Sequence, residues 1–277
     1  MVANEMSLNP VFIIGPLNRS GTNYLADVVR QLGAFQIPPG IHEDYLLVNS
    51  DKIVDYVQLT ARHWSKEYRD PENAENKELV SRFGDTILDF ANQKIDEGNG
   101  LLFKCPRPYN IKNVFRLFPQ ARVLVCLRDG RDTVESFVRS FDGYSFKEAA
   151  KLWAEGAKEL LDFEDSLKSS DFESQMLRVH YEDVLQQDKA VMARLSQFLG
   201  VDSSVVPLDK IADLPLRGSS TDRGSKDELH WQPVEKPKNF NPIGRWGKWG
   251  WLKKNQFKSV ANNELQRAGY VPTKGDW

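Results

Sequence analysis

The chain has 277 residues, of which 40% are hydrophobic and 27% charged, enough for one large domain or two small ones around a sizeable core. Its 37 Lys and Arg against 39 Asp and Glu leave a net charge of −2, which argues against a whole-molecule binder of nucleic acid or anionic membrane while allowing a local basic patch. No apolar run approaches a transmembrane helix. The segment before Leu17 lacks the basic start and long apolar stretch of a secretory signal. Cys105 and Cys126 have no CxxC or Cys/His neighbourhood, so neither a disulfide framework nor a metal site is expected. These features point to a cytoplasmic chain in a reducing compartment.

The first strong element is VFIIG, Val11 to Gly15, a short apolar run stopped by Gly and Pro, as in a buried parallel strand. After the polar stretch PLNRSGTN, residues Tyr24, Leu25, Val28, Val29 and Leu32 fall on one helical face, and Gly33 closes it. LLFK at 101–104, VLVCL at 123–127 and MLRVH at 176–180 read as further strands. Helical patterns lie between and after them, at about 78–96, 110–118, 132–141, 146–168 and 182–199. In the last, Val184, Val191, Leu195, Phe198 and Leu199 form a stripe that Gly200 ends. Strands alternating with helices predict an α/β fold, a parallel sheet with right-handed crossovers.

The C-terminal part differs. Residues 217–258 hold ten Lys or Arg against four Asp or Glu, and four of the seven tryptophans, with many Gly and Pro and no clean period. This stretch reads as ordered loop laid over the α/β body. It is either a cover for an anionic ligand or a solvated loop whose tryptophans pack on the core.

Two places carry chemistry. The loop from Gly15 to Asn23 hands a strand over to a helix N-terminus, where backbone N–H groups and the helix dipole favour an anion. It is not a Walker A loop, because no Lys precedes Thr22. A purely structural turn is the alternative. At 122–141, a strand delivers Arg128 at its C-terminal end, Asp129-Gly130 turns the chain, Asp132 is placed to cap the next helix, and Ser136 sits in its second turn. Arg128 and Ser136 can converge on a second phosphate, Arg with its planar fork of donors. The structural alternative is Arg131 or Asp132 pairing across the turn.

With these motifs in hand, the chain resembles sulfotransferases that use 3′-phosphoadenosine 5′-phosphosulfate (PAPS). RSGTN at 19–23 resembles their 5′-phosphosulfate loop, which implies that Arg19, Ser20, Gly21, Thr22 and Asn23 bind the cofactor. LRDGRDTVESFVRS at 127–140 resembles the 3′-phosphate segment, with Arg128 and Ser136 as ligands. HYEDV at 180–184 is similar to the family's YEDL and implies Tyr181 beside the adenine. Lys104 in FKCP matches the lysine that reaches the sulfuryl group, and KPKNFNPIGRWGKW resembles the cofactor-covering loop, centred on Arg245 and Trp246. Ser219, Ser220 and Arg223 would fold over the cofactor with it. The resemblance spans residues 11–250 in the expected order and implies one domain over 1–277, a three-layer P-loop-NTPase-like sheet flanked by helices, with 217–258 as its cover.

Arg19 stands where the cytosolic aryl and steroid enzymes have Lys, as in the carbohydrate and tyrosyl-protein branches, and Pro106 stands where those cytosolic enzymes have a catalytic His. The base must therefore come from elsewhere. His42-Glu43-Asp44 is the best-placed source, and branches with Arg in the loop carry a Glu there, which favours Glu43 over His42. The implied reaction is in-line sulfuryl transfer from PAPS to a hydroxyl of a saccharide, lipid-linked or small-molecule acceptor, with a protein tyrosine less expected, Arg19 and Lys104 stabilising the leaving group, and no metal. The alternatives are a P-loop kinase of a small nucleophile and an inactive anion- or carbohydrate-binding protein. Oligomeric state is not legible.

Overall fold

The computed structural model describes residues 8–41, 43–70, 73–202, 208–217, 233–234 and 241–273. In chain order its regular elements begin with β1 (Val11–Ile14), α1 (Thr22–Leu32), β2 (Phe35–Gln36), α2 (Ser50–Ala61), α3 (Ala74–Asn92) and β3 (Gly100–Cys105). They continue through α4 (Val114–Leu117), β4 (Arg122–Leu127), α5 (Gly130–Ser140), α6 (Phe146–Leu167), β5 (Met176–His180), α7 (Tyr181–Leu185) and α8 (Lys189–Leu199). The last are α9 (Leu208–Ala212), a two-residue antiparallel pair of β6 (Leu216–Arg217) with β7 (Pro233–Val234), and α10 (Trp251–Arg267).

Five parallel strands form one sheet in the order β2-β3-β1-β4-β5. This is the α/β architecture that the alternating pattern predicts. All four residues of β1 are buried because the sheet is covered on both faces. Alternation divides them: Phe12 and Ile14 join Phe103, Val123 and Val125 on one face, while Val11 and Ile13 join Leu102, Leu124 and Cys126 on the other. The first face packs on α2, α3, α4 and α6, the second on α1 and α8. A third cluster joins α5, α6 and α10 around Trp153 and Phe257.

Because β1 has β3 on one side and β4 on the other, the chain after β1 faces a switch point in strand order, where α/β sheets place their ligands. Three segments meet there: the β1–α1 loop, the end of β3 and the β4–α5 junction.

Several elements differ from the sequence pattern. Strand β2 and helix α2 are added. The stretch at 182–199 is two helices, α7 and α8, because Gln187 turns left-handed at φ 55° and Asp188 caps the second by accepting the Val191 N–H. The stretch at 78–96 starts earlier and ends at Asn92, and that at 110–118 is a 3-10 turn followed by the short α4. The expected cover loop at 217–258 ends in helix: α10 begins at Trp251, and its buried face of Phe257, Ala261 and Leu265 lies mostly beyond the window in which no period was visible.

Candidate active site

The β1–α1 loop is locked by Ser20, whose hydroxyl and amide donate to the Leu17 carbonyl at 2.7 and 3.2 Å. Cys126 Sγ donates to the Ser20 carbonyl at 3.3 Å. Arg19 and Gly21 are both left-handed, at φ 80° and 96°. A Cβ at position 21 would stand 2.3 Å from Tyr181 Cδ2, so glycine is what lets the tyrosine ring lie against the loop. Among the described residues no side chain caps α1, which leaves its first amides open at the sheet's C-terminal edge.

Arg128 leaves β4 into the same corner. Its Nη1 donates to the Arg19 carbonyl at 3.0 Å and its Nη2 to the Pro242 carbonyl at 2.7 Å. The Nε is buried with no partner among the described residues. The guanidinium also lies 5.2 Å from the Tyr181 ring centroid. Arg19 Nε donates to Ser136 Oγ at 3.2 Å. Burial, then the charge of Arg128 with a further contribution from Arg245, pushes the Arg19 guanidinium down to about 10, against an opposing effect of Tyr181. Burial and Arg128 lower Arg245 in the same way. Three guanidiniums thus share one corner and repel one another, an arrangement that a bound polyanion would relieve.

Helix α5 holds this corner together. Its N-cap is Asp129, which accepts the Arg131 N–H at 2.9 Å and pairs with the Arg131 guanidinium at 2.8 Å. Asp132 is therefore not the cap that the sequence pattern suggests. It lies inside the helix and accepts the Gly244 and Trp246 N–H groups at 2.6 and 3.2 Å, tying down the turn that carries Arg245. Arg131 stacks on Trp246 at 3.5 Å, and Glu135 accepts Trp249 Nε1 at 2.8 Å. Gly130 is needed because a Cβ there would meet the Trp153 ring at 2.5 Å.

On the other side of β1, Lys104, next to last in β3, lies beside Glu43. The Nζ to Oε1 distance is 4.0 Å, with side chains 7% and 11% exposed. Tyr45 donates its hydroxyl to Glu43 Oε2 at 2.5 Å. The Asp44 N–H donates to the Lys104 carbonyl at 3.2 Å, and Asp44 Oδ1 accepts the Leu46 N–H at 2.8 Å, which clips this loop to the strand. Burial lowers the Lys104 ammonium while Glu43 and Asp44 oppose it. Burial also pushes the Asp44 carboxyl up to about 6. Arg107 Nε donates to Asn18 Oδ1 at 3.2 Å, joining the loop after β3 to the loop after β1.

The corner therefore has a cationic side suited to phosphate and sulfate, and a side where a carboxylate, an ammonium and a phenol meet. A sulfotransferase family model matches residues 10–204. The chain belongs to the sulfotransferase family. Two curated relatives are Protein-tyrosine sulfotransferase A of Caenorhabditis elegans, 22% identical over 86% of this chain and 61% of that protein, and Protein-tyrosine sulfotransferase 2 of Gallus gallus, 24% identical over 86% and 63%. The chain thus spans about three fifths of the length of these relatives. Among solved structures, the sulfotransferase domain of the Synechococcus PCC 7002 olefin synthase matches with a TM-score of 0.58 at 19% identity, over 95% of this chain and 94% of that one. The sulfotransferase domain of the curacin biosynthetic pathway matches with a TM-score of 0.52 at 18% identity, over 96% and 100%. These likenesses show a shared fold.

In this chain, Arg19, Ser20, Gly21, Thr22, Asn23, Arg128, Ser136, Tyr181 and Arg245 gather on one side of β1, with Trp246 stacked behind on Arg131. Glu43 and Lys104 gather on the other. His42, Ser219, Ser220 and Arg223 lie outside the described residues. The Ser20 amide is spent on Leu17, so of the four amides at 20–23 those of Gly21, Thr22 and Asn23 remain for an anion. Sequence reasoning missed Asp132 as an anchor and missed Glu182, which accepts the Asp129 N–H at 2.9 Å and the Tyr270 hydroxyl at 2.7 Å. Neither had a signal, since both bonds span long stretches of chain. Tyr45 was missed too, although its place two residues after Glu43 is legible.

Among the described residues no helix is long and apolar enough to cross a membrane.

Proposed function

We propose that the chain transfers the sulfuryl group of PAPS to a hydroxyl of an acceptor. The observation that carries this is the corner where Arg19, Arg128 and Arg245 converge, with Arg128 Nε buried and without a partner among the described residues. A bisphosphorylated nucleoside fits such a corner, because it supplies the charge and acceptors that the corner lacks. PAPS, when bound, supplies an activated sulfuryl group and a good leaving group.

Arg128 and Ser136 hold the 3′-phosphate, the amides of Gly21, Thr22 and Asn23 hold the 5′-phosphate, and Tyr181 stacks by the base. Arg19 and Lys104 stabilise negative charge on the leaving oxygen. Glu43 takes the proton from the acceptor hydroxyl, its orientation fixed by Tyr45 and Lys104. Arg245 and Trp246, held by Asp132 and Arg131, close over the nucleotide with the rest of 217–258, excluding water. Residues 1–277 act as one domain in this scheme, supported by the packing of α10 on α6 and the Tyr270–Glu182 bond. A reducing, cytoplasmic setting belongs to the same proposal, supported by Cys105 and Cys126 being buried and free.

The acceptor classes are a saccharide, a lipid-linked or a small-molecule hydroxyl. A protein tyrosine stands beside them, supported by the names of the curated relatives. Incubating the chain and PAPS with libraries of all four classes, followed by mass spectrometry, should reveal a sulfate-sized gain in one of them. A gain in none, together with a larger thermal shift from ATP and Mg²⁺ than from adenosine 3′,5′-bisphosphate, would overturn the proposal in favour of a kinase.

A further inference from the structure

The loop after β2 carries a residue that the proposed mechanism leans on and that no motif singles out. Tyr45 is left-handed at φ 47°, a conformation that a bulky side chain adopts only when its surroundings hold it there. Its neighbour on the chain supplies the hold: Asp44 donates its N–H to the end of β3 and accepts the Leu46 N–H through Oδ1. With Asp44 clipped, the turn at 45 lets the phenol reach two residues back, where its hydroxyl meets Glu43 Oε2 at 2.5 Å. Tyr45 is 43% exposed and its ring lies 6.3 Å from the ring of Tyr109, so its body forms part of the rim while its hydroxyl is turned to the largely buried Glu43. Tyr109 is held in turn by Asn110, also left-handed at φ 50°, whose amide donates to the Val48 carbonyl at 2.9 Å and to Asp51 at 3.3 Å. Two strained residues on two segments thus bring this aromatic pair to the mouth of the carboxylate–lysine site.

We infer that Tyr45 is a positioning residue for Glu43: its hydroxyl fixes one carboxylate oxygen and leaves the carboxylate aimed at the acceptor, while the Tyr45–Tyr109 rim guides the acceptor toward it. Four groups face Glu43 or lie against it: the Lys104 ammonium at 4.0 Å, the Asp44 carboxyl, the Tyr45 phenol and the Cys105 thiol behind them. Burial of the hydroxyl and the neighbouring carboxylate hold the Tyr45 phenol protonated, so it acts as the donor. The inference rests on the proposed role of Glu43.

The experiment separates that role from the pair itself. In steady-state assays with PAPS and the acceptor found by the screen, Tyr45→Phe should lower kcat about tenfold with the acceptor KM within about twofold. Tyr109→Ala should do the reverse, raising KM with little change in kcat. Both variants should keep the thermal shift given by adenosine 3′,5′-bisphosphate, which reports an intact fold and nucleotide corner. Equal kcat for Tyr45→Phe and wild type would overturn the inference. Independently of activity, thermal unfolding of Tyr45→Phe, Glu43→Ala and the double variant should be non-additive, because the hydroxyl and carboxylate share one bond. Additive losses would overturn it as well. Should the wild type transfer nothing, the proposed reaction fails, while this cycle still decides whether Tyr45 holds Glu43.

Discussion

The two sides of the site are built differently. The cationic side is made where strands hand over to helices: Arg19 in the β1–α1 loop, Arg128 at the end of β4 and Ser136 in α5, all backed by the sheet. Its three guanidiniums are gathered at the cost of mutual repulsion, so the corner is set for an anion that comes from outside. The other side balances itself. Glu43 has Lys104 and Tyr45 around it, and the loop that carries it is held by hydrogen bonds from Asp44 and by Leu47 in the core. Rigidity and excess charge suit the side that grips a nucleotide, and a local balance of charges suits the side that moves a proton.

Substitutions on the two sides should therefore separate binding from turnover. The largest effect is expected from Glu43→Gln, which should lower kcat by ~10²–10⁴-fold, the usual worth of a general base, while leaving bisphosphate affinity unchanged in calorimetry. A comparable loss of affinity would break the division between the sides. Next, Arg128→Ala should weaken adenosine 3′,5′-bisphosphate by ~10–100-fold and adenosine 5′-monophosphate far less, because the loss is of hydrogen bonds to a charged group. Equal weakening of both nucleotides would remove Arg128 from the 3′-phosphate.

Stability should sharpen the same contrast. Gly21→Ala forces a left-handed alanine against the Tyr181 ring, 2.3 Å from its Cβ, and should cost about 1–3 kcal/mol in chemical denaturation, with bisphosphate binding impaired alongside. A neutral result would mean that the loop and Tyr181 can part freely. The smallest effect is expected from Asp44→Asn. The folded carboxyl sits at about 6, above the ~3.9 of an unfolded aspartate, so the folded chain holds the extra proton between these values. Stability from this group is complete below about pH 4 and is lost as pH rises through about 6. The amide should flatten that decline in Tm and stabilise the chain by about 1–2 kcal/mol above pH 7. A decline as steep as in the wild type would place the titration elsewhere, with Asp132, also raised by burial to about 6, the first group to examine.

Much of this molecule was legible because local signals were strong. Apolar runs, three of them bounded by Gly or Pro, gave four of the five strands of the parallel sheet, and the strand–loop–helix pattern at 11–32 gave the anion-binding loop. Strand β2 escaped because a two-residue strand has no period to read. Helix α10 was lost in a window dominated by Trp, Gly and Lys, since its inward face is spread across residues that pack on α6.

The sequence by itself determined which residue types stand at each sheet edge: Arg19 and Gly21 after one strand, Lys104 at the end of another, Arg128 and Ser136 after a third. Chain order and hydrophobic period suffice for that, because the ends of parallel strands fall at one edge. Only the tertiary structure decided what those residues touch. Asp132 proved to hold a turn 112 residues away rather than its own helix, Arg128 to reach Pro242, and Tyr45 to lean back on Glu43. Such contacts depend on backbone angles and on burial supplied by distant segments, and neither is written in local spacing.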